Sequence, residues 1–134
     1  MKQLEKAKFF ALLALRLVAG AIFMAHGYPK LFGDTARVVA GFQNMGFPGF
    51  FAYIAGIFEF FGGILLIAGL FTRIAGLLLA GEMAVAVLKV HLTKGLTGPG
   101  GYEFPLTLAA VCFTLMVLGA GTVSLDRILF KDKA

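Results

Sequence analysis

The sequence is short of charge. Asp, Glu, Lys and Arg make up 14% of its 134 residues, where a soluble chain keeps about a quarter charged to cover its surface. A hydrophobic share of 60% and a mean hydropathy of +0.92 accompany that deficit. Together they argue against a soluble globular protein and for one whose covering is lipid. Cysteine is nearly absent, with Cys112 alone. No internal disulfide can form and no C-x-x-C occurs, which excludes a dithiol electron carrier acting by itself. Cys112 reads as a small apolar packing residue. Also missing are H-E-x-x-H, a phosphate-cradling glycine loop after a strand and a dinucleotide fingerprint. The net charge is +5, but the basic residues sit at chain ends and corners without forming a stripe. Nucleic acid is therefore not an expected partner.

What the chain has instead is long apolar runs, at about residues 9–27, 50–71, 72–91 and 102–121. A bilayer core takes roughly 20 helical residues to cross, so each run is long enough. The expected fold is all-α: an integral membrane four-helix bundle, residues 1–134 as one domain. The first run carries Arg16 and no clear small-x-small cleavage site before Tyr28, so it reads as a retained helix and not a signal peptide. Pro29 is expected to end it. The loop at 28–49 has a helix signal from Asp34 or Thr35 through Phe42, suited to the membrane surface or the bundle mouth. An ordinary loop is the alternative. The short corner at Phe71, Thr72 and Arg73 makes the second and third runs antiparallel neighbours. Small residues at fourfold spacing, Ala52 and Gly56, then Gly76, Ala80 and Ala84, suit close helix approach. Pro105 falls in the first turn of the fourth run, and residues 124–134 read as a basic tail.

Flanking charge sets the expected orientation. Lys2, Lys6, Lys8, Arg73, Arg127, Lys131 and Lys133 lie on one side, and Lys30, Arg37 and Lys94 on the other, with Lys89 borderline. The positive-inside rule then puts both termini in the cytoplasm.

Ionisable residues inside a bilayer are costly and point to function by default. Glu59 and Glu82 fall near mid-depth in the second and third runs and are the candidate catalytic acids. Arg16 lies in the inner half. His26, Lys89, His91 and Glu103 gather at the outer end as candidate ligand-binding groups. Glu82 and Lys89, seven apart, should share a helix face about 10 Å apart in height. Structural alternatives stand beside each. Arg16 could only neutralise an acid, the two glutamates could tie helices together as neutral donors, and Lys89 could snorkel. The histidines could be interfacial, and Glu103 could serve the dipole of the fourth helix. Two further alternatives, haem clamped by His26 and His91 or a metal held by these two and Glu103, carry little weight, and no metal site is expected.

The order of motifs resembles the DoxX family of small four-span membrane proteins. It comprises L-R-L-V-A-G at 15–20, H-G-Y-P-K-L-F-G at 26–33, G-F-P in the loop, E-F-F-G-G at 59–63 and G-L-F-T-R at 69–73. G-G-Y-E-F-P-L at 100–106 and G-A-G-T-V-S-L-D at 119–126 complete it. The resemblance implies a bacterial or archaeal inner-membrane protein, related to quinone-linked oxidoreductase subunits or to proteins that assist redox-stress complexes. It also marks Arg16, Lys30, Glu59, Gly63, Arg73 and Glu103 as positions matching the family pattern, and adds Lys30 to the ligand-binding candidates. The expected function is a quinone- or lipid-linked redox subunit. A prenyl tail would enter between helices, and Arg16, Glu59 and Glu82 would bind or protonate a carbonyl head. Electrons would come from a bound cofactor or a partner subunit, and the expected partners are the bilayer, a redox subunit and further copies of the chain. The alternative function is a non-enzymatic membrane scaffold or assembly subunit.

Overall fold

A computed structural model describes residues 1–131; Lys133, counted above for orientation, lies outside the described residues. Within them the chain forms seven α-helices and no strand. These are α1 (Lys2–Lys6), α2 (Lys8–Leu31), α3 (Thr35–Asn44), α4 (Phe51–Ala68), α5 (Thr72–Val85), α6 (Glu103–Leu118) and α7 (Leu125–Phe130). A π-helical turn at Ala86–His91 and a 3₁₀ turn at Leu92–Lys94 extend α5. Among the described residues three helices are long and apolar enough to cross a membrane: Lys8–Leu31, Phe51–Ala68 and Thr72–Lys94. α6 is apolar but shorter, at 16 residues.

α2 packs along α4 and α5 along α6, and these two pairs meet mainly through α4 and α5. The corner between α4 and α5 does make them neighbours, but the tighter contacts are within the two pairs. Glycine explains the first pair. A Cβ at Gly63 would stand 2.6 Å from the Gly20 carbonyl oxygen, and one at Gly20 would stand 2.7 Å from that of Gly63. In lipid, association rests on such close packing, because apolar burial gains little against lipid tails. Gly76 does the same for the second pair, against the backbone of Cys112 and Met116. Leu12, Phe23, Leu66, Leu79, Leu108, Cys112 and Leu115 form the core between the pairs. Phe10, Val18, Ile74, Leu88 and Phe113 point outward and are exposed, as a lipid-covered surface requires.

Several boundaries differ from expectation. α2 continues through Pro29 to Leu31. The ring removes one donor, but only two helical residues follow it, and Phe32 N–H closes the end on the Tyr28 carbonyl at 2.8 Å. Asp34 caps α3 by accepting from Arg37 N–H at 3.3 Å, and the helix runs to Asn44, two residues beyond Phe42. The supposed basic tail holds α7, capped by Ser124 accepting from Arg127 N–H at 3.2 Å.

Candidate functional site

The polar residues divide between the two ends of the bundle. At the end nearest the termini, Arg16 is 2% exposed. It donates to four backbone carbonyls: Leu66 at 2.9 Å, Ile67 at 2.9 Å, Ala120 at 3.0 Å and Val123 at 2.6 Å. The first two end α4, and the others belong to the segment after α6. The last carbonyls of a helix have no partner inside it, and a guanidinium with five donors can serve several at once. Beside it Asp126, also buried, accepts from Phe71 N–H at 2.7 Å and Thr72 N–H at 3.0 Å. It therefore holds the first turn of α5, while its own N–H donates to the Gly69 carbonyl at 2.9 Å. The alternative considered for Arg16, a pairing with Glu59 or Glu82, is not formed. Glu59 is two turns along α4 from Leu66, about 10 Å by helical rise, and takes a different cation.

That cation is Lys30, in the last turn of α2. Its ammonium donates to Glu59 Oε2 at 2.5 Å and to the His26 carbonyl at 3.1 Å. The continuation of α2 past Pro29 is what brings it there, and Gly27 lets α2 lie directly on Phe60 and Glu59. Gly56 similarly admits Lys30 and Leu31. Both members of the pair are largely buried, and charges taken out of water need such a partner.

Lys30 and Glu59 lie in the wall of a cavity of about 1210 Å³ at the other end of the bundle. Most of the wall is apolar, including Phe23, Phe42, Phe47, Phe51, Phe58 and Phe104. His26, Glu82, His91, Lys94 and Glu103 complete its polar part. Glu82, on α5, differs from the rest: both its carboxyl oxygens are buried and neither has a hydrogen-bond partner. A buried polar group left in that state costs on the order of 1–3 kcal/mol. His26 Nδ1 lies 2.9 Å from the Ile22 carbonyl and His91 Nδ1 lies 2.7 Å from that of Gly100. In each case the ring nitrogen at the backbone is occupied and Nε2 is the one left for other partners. The His26 ring faces Phe104 at 5.8 Å, which ties α2 to α6 across the cavity. No group of three His, Cys, Asp or Glu suited to a metal ion occurs among the described residues.

The structure thus brings together Glu59, Glu82, His26, Lys30, His91 and Glu103, and leaves out Arg16 and Lys89. Lys89 is exposed and absent from the cavity wall. The π turn explains this. Its i→i+5 hydrogen bonding widens the turn, so residues seven apart no longer stack and Lys89 leaves the Glu82 face. The aromatic row from the end of α3 to the start of α4, with Phe42 and Phe47 at a ring distance of 6.1 Å and Phe47 and Phe51 at 5.9 Å, went unrecognised in the sequence as part of a site. Its signal was the apolar residues clustered around G-F-P.

Comparison with known proteins identifies a family. The DoxX family model matches residues 11–92. A Bacillus subtilis protein named "Putative oxidoreductase CatD" is 32% identical over 121 residues, covering 90% of this chain and 88% of the relative. An uncharacterized protein of Haemophilus influenzae is 35% identical over 139 aligned positions, covering 98% and 99%. No solved structure matches. With apolar helices of membrane-crossing length, a family model spanning most of α2 to α5 and two relatives aligned nearly end to end, this chain belongs to the DoxX family and is a membrane protein.

Proposed function

We propose that the protein is a quinone- or lipid-linked redox subunit that holds an apolar ligand in the cavity, its polar head between Glu82 and the Lys30–Glu59 pair. α2, α4, the extended α5 and α6 would all span the cytoplasmic membrane of a bacterium or archaeon. The observation that carries the reading is Glu82, whose oxygens are orphaned at the wall of a mostly apolar chamber. A ligand head that exchanges a hydrogen bond with Glu82 removes that penalty. A benzoquinone fits the residues present. Its flat ring suits the aromatic wall, and its oxygens suit the Lys30 ammonium and a glutamic acid proton. When bound it would supply the two-electron carbonyl chemistry that no side chain offers, with electrons drawn from a partner subunit. Glu82 and Glu59 would hold and move protons at the head, while His26, His91 and Glu103 would line the approach. The name of the Bacillus relative, "Putative oxidoreductase CatD", is consistent with this class.

A second reading, a membrane scaffold without catalysis, draws on Arg16 and Asp126, two buried, oppositely charged neighbours whose side-chain hydrogen bonds go to backbone groups. Retention of ligand separates the two. Protein purified gently should release a quinone or lipid on organic extraction, and a quinone absorption band should bleach on reduction. Glu82→Leu and Lys30→Met should lower the retained amount by roughly tenfold, as expected for a lost buried hydrogen bond of about 1.4 kcal/mol. A wild-type extract with no ligand at a stoichiometric level would leave the scaffold reading.

A further inference from the structure

The mouth of the cavity is the feature that goes furthest. α4 and α5 leave their corner in close contact, where a Cβ at Gly62 would stand 3.1 Å from Leu79. On either side of that contact, residues of both helices that line the cavity are also exposed. Leu77 is 56% exposed, Leu78 44%, Val85 49% and Ile54 39%. Gly81 belongs to the same rim; it is exposed, and a Cβ added there would meet nothing within 4 Å. These α5 positions lie in the middle of a 23-residue apolar segment, Thr72–Lys94. A gap at that depth opens to hydrocarbon and not to water. Elsewhere the cavity wall is formed by Phe42 of α3, by Phe47 in the loop after it, and by the glycine loop that His91 grips at Gly100.

We propose that the cavity is entered sideways from the bilayer, between α4 and α5. Its ligand is a membrane-dissolved amphiphile with a neutral hydrogen-bonding head and a long apolar tail. The head stops at Glu82, and the tail leaves the bundle across Gly81. Position 81 sets what can pass, because any side chain there projects into the gap. This rests on the proposed ligand-binding reading and adds to it the route, the tail and the residue that controls both.

The chain has no tryptophan, so Gly81→Trp places a single fluorophore in the gap, where open space accommodates it. Leu77→Trp, at an exposed rim position, serves the same purpose should the first variant fail to fold. In nanodiscs of phosphatidylcholine with brominated acyl chains, the indole should be quenched strongly, and iodide in the buffer should have little effect. Efficient iodide quenching without acyl-chain quenching would show a water-filled mouth and overturn the proposal. In ordinary nanodiscs, Gly81→Trp should weaken binding of a decyl-tailed benzoquinone by roughly tenfold or more, as an overfilled site does. The same benzoquinone without a tail should lose far less. Equal losses for both would overturn the tail route. Wild-type protein that binds neither quinone, with acyl-chain quenching intact, would remove the quinone reading and leave the lateral opening standing.

Discussion

Arg16 shows what one buried charge does when its partners are backbone. Its guanidinium joins the end of α4 to the segment after α6, residues 50 to 107 positions away in sequence. Lysine has three donors on one atom and cannot reach both sides at once. Arg16→Lys should therefore lower stability by roughly 2 kcal/mol or more, since buried carbonyls would lose their donors. Thermal unfolding in detergent at a fixed scan rate reads this as a clear fall in midpoint. Ligand retained well below that midpoint should be unchanged. Lost retention at full stability would move Arg16 into the binding site. Sequence pattern had marked Arg16 as buried and in need of a partner, and that much was legible. The partner was not, because helical periodicity reports depth and face but says nothing about which helix end lies opposite. Glu59 and Glu82 were legible for the same reason: a charged residue inside an apolar run is conspicuous wherever the chain folds. Lys30 came from the family resemblance alone. Pro29 concealed it, since a helix expected to stop at Tyr28 would not carry residue 30 to the α4 face.

Among the elements, the α4–α5 corner carries the clearest strain. Gly69 and Phe71 both adopt left-handed backbone, with φ of 69° and 49°. Glycine does so freely, but an L-residue with a Cβ is disfavoured there by roughly 1–2 kcal/mol. Asp126 holds Phe71 in place by accepting its N–H, and the Phe71 ring lies 5.4 Å from that of Phe130 at the end of α7. The corner and α7 thus stabilise one another. Phe71→Gly relieves the backbone but loses the ring contact, so it should change stability by less than about 1 kcal/mol. Asp126→Ala removes acceptors from two N–H groups and should cost about 2 kcal/mol or more. Unfolding midpoints compared in one detergent decide between them. A larger loss in Phe71→Gly than in Asp126→Ala would mean that the ring contact, and not the carboxylate, holds the corner. α7 had a readable signal, Ser124 followed by Leu125 and Asp126, a capping serine with an acid in the first turn. Its short length and basic neighbours masked it. The π turn had no such signal. It depends on how α5 meets the other helices, and local residue preference does not contain that information.

Taken as a whole, the molecule has two chemically different ends. α1, the corner at Arg73 and α7 lie together at one end. Asp126 contacts Phe71, and Lys6 and Lys8 border the same small cleft as Gly121 and Thr122. Lys2, Lys6, Lys8, Arg73, Arg127 and Lys131 belong to these segments. The cavity end carries Lys30, Arg37 and Lys94, of which Lys30 is neutralised by Glu59. Short flanks rich in Lys and Arg stay in the cytoplasm, so the termini should lie inside and the cavity roof outside. α6 bears on this, because 16 residues rise only about 24 Å against a core of roughly 30 Å. To cross, it would need local thinning of the bilayer or help from its flanking residues, and both of its flanks are glycine-rich turns that can enter the interface. If α6 did not cross, the two ends of the chain would face opposite sides and Arg16 could not reach Ala120 and Val123. Cysteine labelling tests the arrangement directly, and buried Cys112 is first replaced by alanine. With a membrane-impermeant maleimide on intact cells, Met45→Cys in the outer segment should react. Lys6→Cys and Lys131→Cys should react only after permeabilisation. Reaction at all three in intact cells would place the termini outside. Reaction at Lys131→Cys but not at Lys6→Cys would show an odd number of spans and overturn the four-span arrangement.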